Sequence, residues 1–257
     1  MLDVNASTYS SSRVIKHYDE YGGLQAPEKT IWQILRPELA QMKMLDIGVG
    51  GGRTTPYFAP KVKEYVAIDF SKGMIDVCRE KFKTTLPAAR FDLCDVRDLS
   101  RYPAGYFDFV LFSFNGLDYI SEDERLRSLH GIRRVTAPRG YFCFSSHNLQ
   151  SLPAFLAARC GWHPVRLLKA LVSRRRLIRL NRTQIAQLPT ADQISIYDDV
   201  YDFGLNTFYV RPRHQVETLR RTGFGNVRLF GLTTGAEMNQ PSEYNSAIDP
   251  WIYYLCR

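Results

Sequence analysis

The chain has 257 residues, 45% hydrophobic and 23% charged, a composition that suits a soluble α/β protein of one large domain or two small ones. No apolar run reaches the roughly 18 residues that a membrane span needs, and Met1-Leu-Asp-Val-Asn-Ala-Ser has neither the basic start nor the apolar core of a signal peptide. The net charge of +8 sits in one segment: residues 159–182 hold eight arginines and lysines and no acid, which leaves 26 basic against 26 acidic residues elsewhere. Cys78, Cys94, Cys143, Cys160 and Cys256 are scattered without a Cys-x-x-Cys pair, as expected of free thiols in a reducing cytoplasm.

Residues 9–40 read as one or two helices, broken at Gly22-Gly23 and restarted at Pro27, with Ile31, Trp32, Ile34, Leu35 and Leu39 on one side. Residues 43–48 read as a first strand. Gly48, Gly50 and Gly52 follow at every second position, and Thr54, Thr55, Tyr57 and Phe58 open a helix. Glycines between a strand and a helix let a ligand touch the backbone and leave the first helical N–H groups free. The dinucleotide spacing Gly-x-Gly-x-x-Gly, counted from Gly48, would need glycine where Arg53 stands. Glu64–Asp69 is a second strand with a carboxylate at its tip, placed to accept hydrogen bonds from ribose hydroxyls. Ser71 caps a helix that buries Met74, Ile75, Cys78 and Phe82.

A third strand, 89–94, ends at Asp95 and Val96. The nearly all-apolar 106–114 has the pattern of a strand covered on both faces. Asn115-Gly116 ends it, and Ser121–Glu124 forms a capping box. Pro138-Arg139-Gly140 turns the chain into a fifth strand, 141–145, which ends in Ser146-His147-Asn148. Residues 148–208 read as an inserted segment, with a basic helix pair around Leu167–Ile178. A helix from Pro212 to Gly223, a strand over 224–230 and a last strand over 250–256 close the chain.

Asp46-x-Gly48-x-Gly50-x-Gly52, the string Ile68-Asp-Phe-Ser-Lys-Gly-Met-Ile75 and the run from Phe107 through Val135 to Gly140-Tyr141-Phe142 resemble, in order, the motifs of class I S-adenosylmethionine (SAM)-dependent methyltransferases of small-molecule type. The resemblance covers 43–147 and 209–256. It implies a doubly wound, seven-stranded, mostly parallel sheet with an antiparallel last strand, N-terminal helices and a helical cap inserted after strand five, all in one domain. It implies SAM as cofactor and S-adenosylhomocysteine as product. Asp46, Gly48, Gly50 and Gly52 would line the methionine half. Asp69 with Phe70 would hold the ribose and Met74 would pack beside it. Asp95 and Val96 would read adenine, and Phe114 and Asn115 would lie by the sulfonium.

Methyl transfer is an in-line displacement that needs a base only where the nucleophile must lose a proton. His147 is the candidate base, although a histidine closing a strand can equally cap backbone groups. Tyr18, Tyr21, Asp118, Tyr119, Asn148 and Tyr209 are candidate substrate contacts. The five histidines show no metal-ligand spacing. The expected function is methyl transfer to oxygen or nitrogen of a small metabolite. A non-catalytic SAM-binding protein and a macromolecule methyltransferase are the alternatives, and Phe114-Asn115-Gly116-Leu117 lacks the Asn/Asp-Pro-Pro-aromatic motif of nucleic-acid amino methylation. The basic tract 159–182 has four readings: a solvated helix face, an anionic-substrate site, a contact with an anionic membrane or carrier protein, and, last, nucleic acid.

Overall fold

The computed structural model of the chain describes residues 22–157, 164–198 and 203–257. Tyr18, Tyr21 and the helix expected from residue 9 lie outside them. Helix α1 (Ala26–Leu35) starts at Pro27 and buries Ile31 and Leu35. It leads to β1 (Lys43–Ile47), a short helix α2 (Thr55–Phe58), β2 (Glu64–Asp69), α3 (Lys72–Phe82), β3 (Arg90–Leu93) and β4 (Phe107–Phe112). Then come α4 (Glu122–Val135), β5 (Thr136–Asn148), α5 (Leu152–Ala157), α6 (Pro164–Leu180), α7 (Arg182–Gln187), β6 (Gln193–Tyr197) and β7 (Asn206–Val210). Helix α8 (Pro212–Arg221), β8 (Arg228–Gly231), β9 (Glu237–Met238), α9 (Pro241–Asn245) and β10 (Trp251–Cys256) complete the order.

One sheet runs β3-β2-β1-β4-β5-β10-β8-β9. The strands from β3 to β5 are parallel, and β10 is antiparallel to both β5 and β8. Because side chains alternate along each strand, the sheet fills two cores. Leu45, Ile47, Val66, Ile68, Val110 and Phe142 face α4 and α8 through Leu129, Ile132, Val216 and Leu219. Met44, Tyr65, Ala67, Phe109 and Leu111 face α1 and α3 through Ile31, Leu35, Ile75 and Cys78. Helices on both faces of a mostly parallel sheet make the α/β class the sequence implied. The order reverses between β1 and β4, so the crevice of such a fold opens at their carboxyl ends.

Two features differ from the sequence reading. The sheet has ten strands instead of seven: the insert, helical only in its first part, brings β6 and β7, and the segment after β8 adds β9. The second part of the insert is an antiparallel hairpin, β6 with β7, and β7 lies parallel to the end of β5, with Tyr209 opposite His147 and Val210 opposite Asn148. Strand β5 also begins at Thr136, with no separate turn at Pro138–Gly140. The pairing with β4 shifts register between Phe107 and Phe109. A bulge of this kind accommodates Pro138, and a Cβ at Gly140 would lie 3.0 Å from the carbonyl oxygens of Phe107 and Asp108.

Candidate cofactor and substrate site

The glycine turn is built around two carboxylates. Asp46 is fully enclosed; Thr54 donates its hydroxyl to Asp46 Oδ2 at 2.6 Å and Tyr65 donates to the same atom at 2.7 Å. Burial drives the Asp46 carboxyl up to about 6, against the pull of those two bonds. Asp69, at the tip of β2, accepts the Gly50 N–H at 3.0 Å on Oδ2 and the Ser71 N–H at 2.8 Å on Oδ1. Burial raises its pKa too, opposed by those two donors.

Gly48 has φ +64°, and a Cβ there would sit 2.8 Å from the Phe112 ring. Only glycine meets both demands without displacing the ring. The crevice in front of this turn encloses about 870 Å³ of space, its open mouth included. Gly48, Gly50, Asp69, Phe70, Met74, Asp95, Val96 and Phe114 all line it, with Ile47, Phe112, Tyr119 and Ile120 as further walls.

These donors and acceptors suit an adenosine-type cofactor. A strand-tip carboxylate can take a vicinal diol and a second can take an exocyclic amine, with apolar walls for a flat ring between them. The Asp95 carboxylate is held by Arg97, whose Nη2 donates to it at 2.6 Å and which also pairs with Glu124 at 3.1 Å.

A smaller hollow beneath the loop is lined by Asp46, Gly48, Gly50, Arg53, Thr54, Ser113 and Phe114. Sequence reasoning missed what backs it. Arg53 makes a bidentate pair with the buried Glu28 of α1, at 2.6 and 2.5 Å, and lies 4.9 Å over the Phe114 ring. Ser113 donates to the same carboxylate, and the Tyr253 hydroxyl reaches it at 3.2 Å. The signal was an acid placed among the apolar residues of α1.

Three expected cofactor or substrate residues have other places. Gly52 lines neither hollow; with φ +78° it packs on α3, where a Cβ would lie 2.4 Å from the Phe82 ring. Asn115 is buried at φ +60°, its N–H donated to Ser145 Oγ at 2.9 Å. Asn148 is a structural clasp: its amide donates to the carbonyls of Ala247 and Asp249 at 2.9 and 3.0 Å, and its Oδ1 accepts the Gln150 N–H.

His147, Asp118, Tyr119 and Tyr209 do come together. Asp118, 0% exposed, accepts from His147 twice on Oδ2: the backbone N–H at 2.7 Å and the ring Nδ1 at 2.8 Å. Its Oδ1 accepts the Ser146 hydroxyl at 2.7 Å and faces Arg125 Nε at 3.7 Å. Tyr119 stands edge-on to the imidazole at 6.0 Å, Tyr209 lies at 5.0 Å and Trp251 at 5.8 Å. Tyr209 donates to the buried Asp198 at 3.2 Å, so the hairpin β6–β7 packs beside the histidine, which itself is not among the residues that line the crevice. Among the described residues no group of three His, Cys, Asp or Glu side chains is placed to hold a metal ion, and no helix is long and apolar enough to cross a membrane.

The fold is Rossmann-like, and the crevice at the tips of β1 to β4 offers the carboxylates and apolar walls that an adenosine cofactor would need. Residues 44–140 match the family described as "Methyltransferase domain". No curated protein matches the chain by sequence. Many solved structures match its fold. One is a SAM-dependent methyltransferase from Mesorhizobium loti, 19% identical, with 90% of this chain and 98% of that one covered and a TM-score of 0.60. A second is the CcbJ methyltransferase of Streptomyces caelestis, 17% identical, with 97% of each chain covered and a TM-score of 0.60. A third is the 1,6-didemethyltoxoflavin-N1-methyltransferase of Burkholderia thailandensis, 16% identical, covering 100% of this chain and 90% of that one, with a TM-score of 0.61. Residues 44–140 thus carry a methyltransferase domain, on a fold that the chain shares with SAM-dependent methyltransferases.

Proposed function

We propose that the enzyme methylates an oxygen or nitrogen nucleophile of a small molecule, with His147 as the base and Asp118 as the group that orients it. The observation that carries this reading is the buried His147–Asp118 pair directly behind Tyr119, which lines the crevice. An ionised carboxylate can only accept, so the short contact assigns the ring proton to Nδ1 and leaves Nε2 as the basic lone pair. Nε2 lies 3.4 Å from Asn115 Nδ2, at the tip of β4 where the crevice ends.

SAM supplies a methyl group already activated on a sulfonium. The chain has to align the nucleophile, exclude water and remove a proton where an O–H or N–H attacks. Phe114, Tyr119 and Ile120 are the residues that exclude water from the crevice wall. Asp69, Asp95 and the glycine turn are the residues we assign to holding the cofactor. The structure of the Burkholderia thailandensis 1,6-didemethyltoxoflavin-N1-methyltransferase contains 1,6-didemethyltoxoflavin and S-adenosylhomocysteine. That supports a small-molecule acceptor here.

The test is a screen of hydroxyl and amine acceptors with radiolabelled SAM, followed by His147→Ala on the best acceptor. The expected result is a fall in kcat of about 10²- to 10⁴-fold and unchanged S-adenosylhomocysteine affinity by calorimetry. A kcat within twofold of the parent would remove His147 from the chemistry.

A further inference from the structure

We infer that the outward face of helix α6 is a docking face for an anionic lipid bilayer. Leu177 is the buried anchor of the helix's last turns. Asn181 pins the helix end to β6: its amide donates to the carbonyls of Leu177 and Tyr197, and its Oδ1 accepts the Tyr197 N–H at 2.8 Å. With Leu177 inward and about 100° per residue, Leu171, Val172, Arg175 and Arg179 fall within about 60° of the opposite direction. The accessibilities agree. Leu171 is 45% exposed and Val172 57%, Arg175 and Arg179 are exposed, and Ile178, 41% exposed, and Arg174 flank the face. Large apolar side chains in such a group rarely stand in water without a partner.

The surrounding charge decides what the partner is. No acid occurs between Glu124 and Asp192. Among the described residues, Arg174, Arg175 and Arg179 form no ion pair. A solvated, self-sufficient helix face would be expected to carry acids four residues from its bases. Here Leu171, Val172 and Ile178 stand among Arg174, Arg175 and Arg179 with no acid beside them. That pattern suits the headgroup–acyl boundary: apolar side chains enter the acyl edge while guanidiniums bind phosphates. Nucleic acid would take the charge but leave the aliphatic side chains in water. The helix is tied at Tyr197 to a hairpin whose second strand pairs with the end of β5 at His147.

The experiment is co-sedimentation of the full chain with vesicles of phosphatidylglycerol and phosphatidylcholine in equal parts, against phosphatidylcholine alone. The expected result is binding to the mixed vesicles only, weakened by salt. The triple variant Arg174→Gln, Arg175→Gln, Arg179→Gln should lower the partition coefficient on the order of a hundredfold, at about fivefold per basic residue. Leu171→Ser with Val172→Ser should weaken it separately, and both variants should keep the parent S-adenosylhomocysteine affinity, which excludes misfolding. Equal binding to both vesicle types, binding to neither, or binding that survives the arginine changes would overturn the inference. So would a concentration-dependent dimer abolished by the same substitutions, since a second copy would then cover the face.

Discussion

Asp46 is the residue whose environment has the clearest consequence in solution. Its carboxyl is buried, its pKa stands near 6, and the ordinary value is 3.8. The folded protein therefore binds a proton at Asp46 over a range in which the unfolded chain has released it. The contribution is fully present below about pH 4 and is lost as pH rises through about 6. At about 1.4 kcal/mol per unit, that window is worth about 3 kcal/mol. Asp46→Asn cannot titrate. Denaturant midpoints measured from pH 4 to pH 7 should show the parent losing stability relative to the variant as pH rises, with the difference flat above pH 7. A constant difference over the range would mean that Asp46 is ionised throughout. The same burial explains why Asp46, expected from the sequence to line the methionine half, holds Thr54 and Tyr65 and so supports the turn itself.

At the scale of elements, the local signals divide by what they serve. Ser121 caps α4 through a reciprocal box with Glu124, one residue beyond Ile120 of the crevice wall. Ser121→Ala should cost about 1 kcal/mol in urea unfolding and change S-adenosylhomocysteine affinity less than a substitution in the glycine turn does. Gly52→Ala puts a Cβ 2.4 Å from the Phe82 ring at φ +78°. It should cost about 1–3 kcal/mol and weaken S-adenosylhomocysteine binding as well, because the turn must shift to relieve the clash. If Gly52→Ala changed stability alone, the turn's position would not be what the cofactor reads.

Such elements were legible because their signals are local: a cap, a run of apolar residues, a glycine at a positive φ. The parallel strands and their helices could be read from the chain for that reason. The hairpin β6–β7 was missed, although Ile194 and Ile196 alternate with polar residues and both are buried. A five-residue alternation beside a basic helix does not say which sheet edge it will join. Its partner is the end of β5, far away in sequence. The Glu28–Arg53 pair was hidden for the same reason, since its two members lie 25 residues apart on different elements. The site residues that could be named from the chain are those a motif carries. Those the insert brings in, Asp198 above all, become visible only in three dimensions.

The whole molecule is joined at Arg125. This side chain of α4 is 3% exposed and lies 4.4 Å over the Phe208 ring of β7. It donates to Gln215 of α8 at 2.6 Å and faces Asp118 behind the histidine. Burial lowers its pKa, and the Asp118 charge opposes that. One guanidinium thus connects two helices, the inserted hairpin and the candidate catalytic pair. Arg125→Met keeps much of the volume but removes the charge that faces a buried carboxylate. Breaking a buried pair from one side costs about 3–5 kcal/mol, so a large drop in the unfolding midpoint is expected. The kcat should fall with it, because Asp118 loses the partner on its far oxygen and no longer fixes the imidazole. Asp118→Asn alone should show the same kcat loss. The decisive measurement is the double variant: removing both charges should cost less than the two single losses added, with a coupling of about 1–3 kcal/mol. Strict additivity would show that Arg125 supports the fold without supporting the histidine, and that the insert meets the active pair by packing alone.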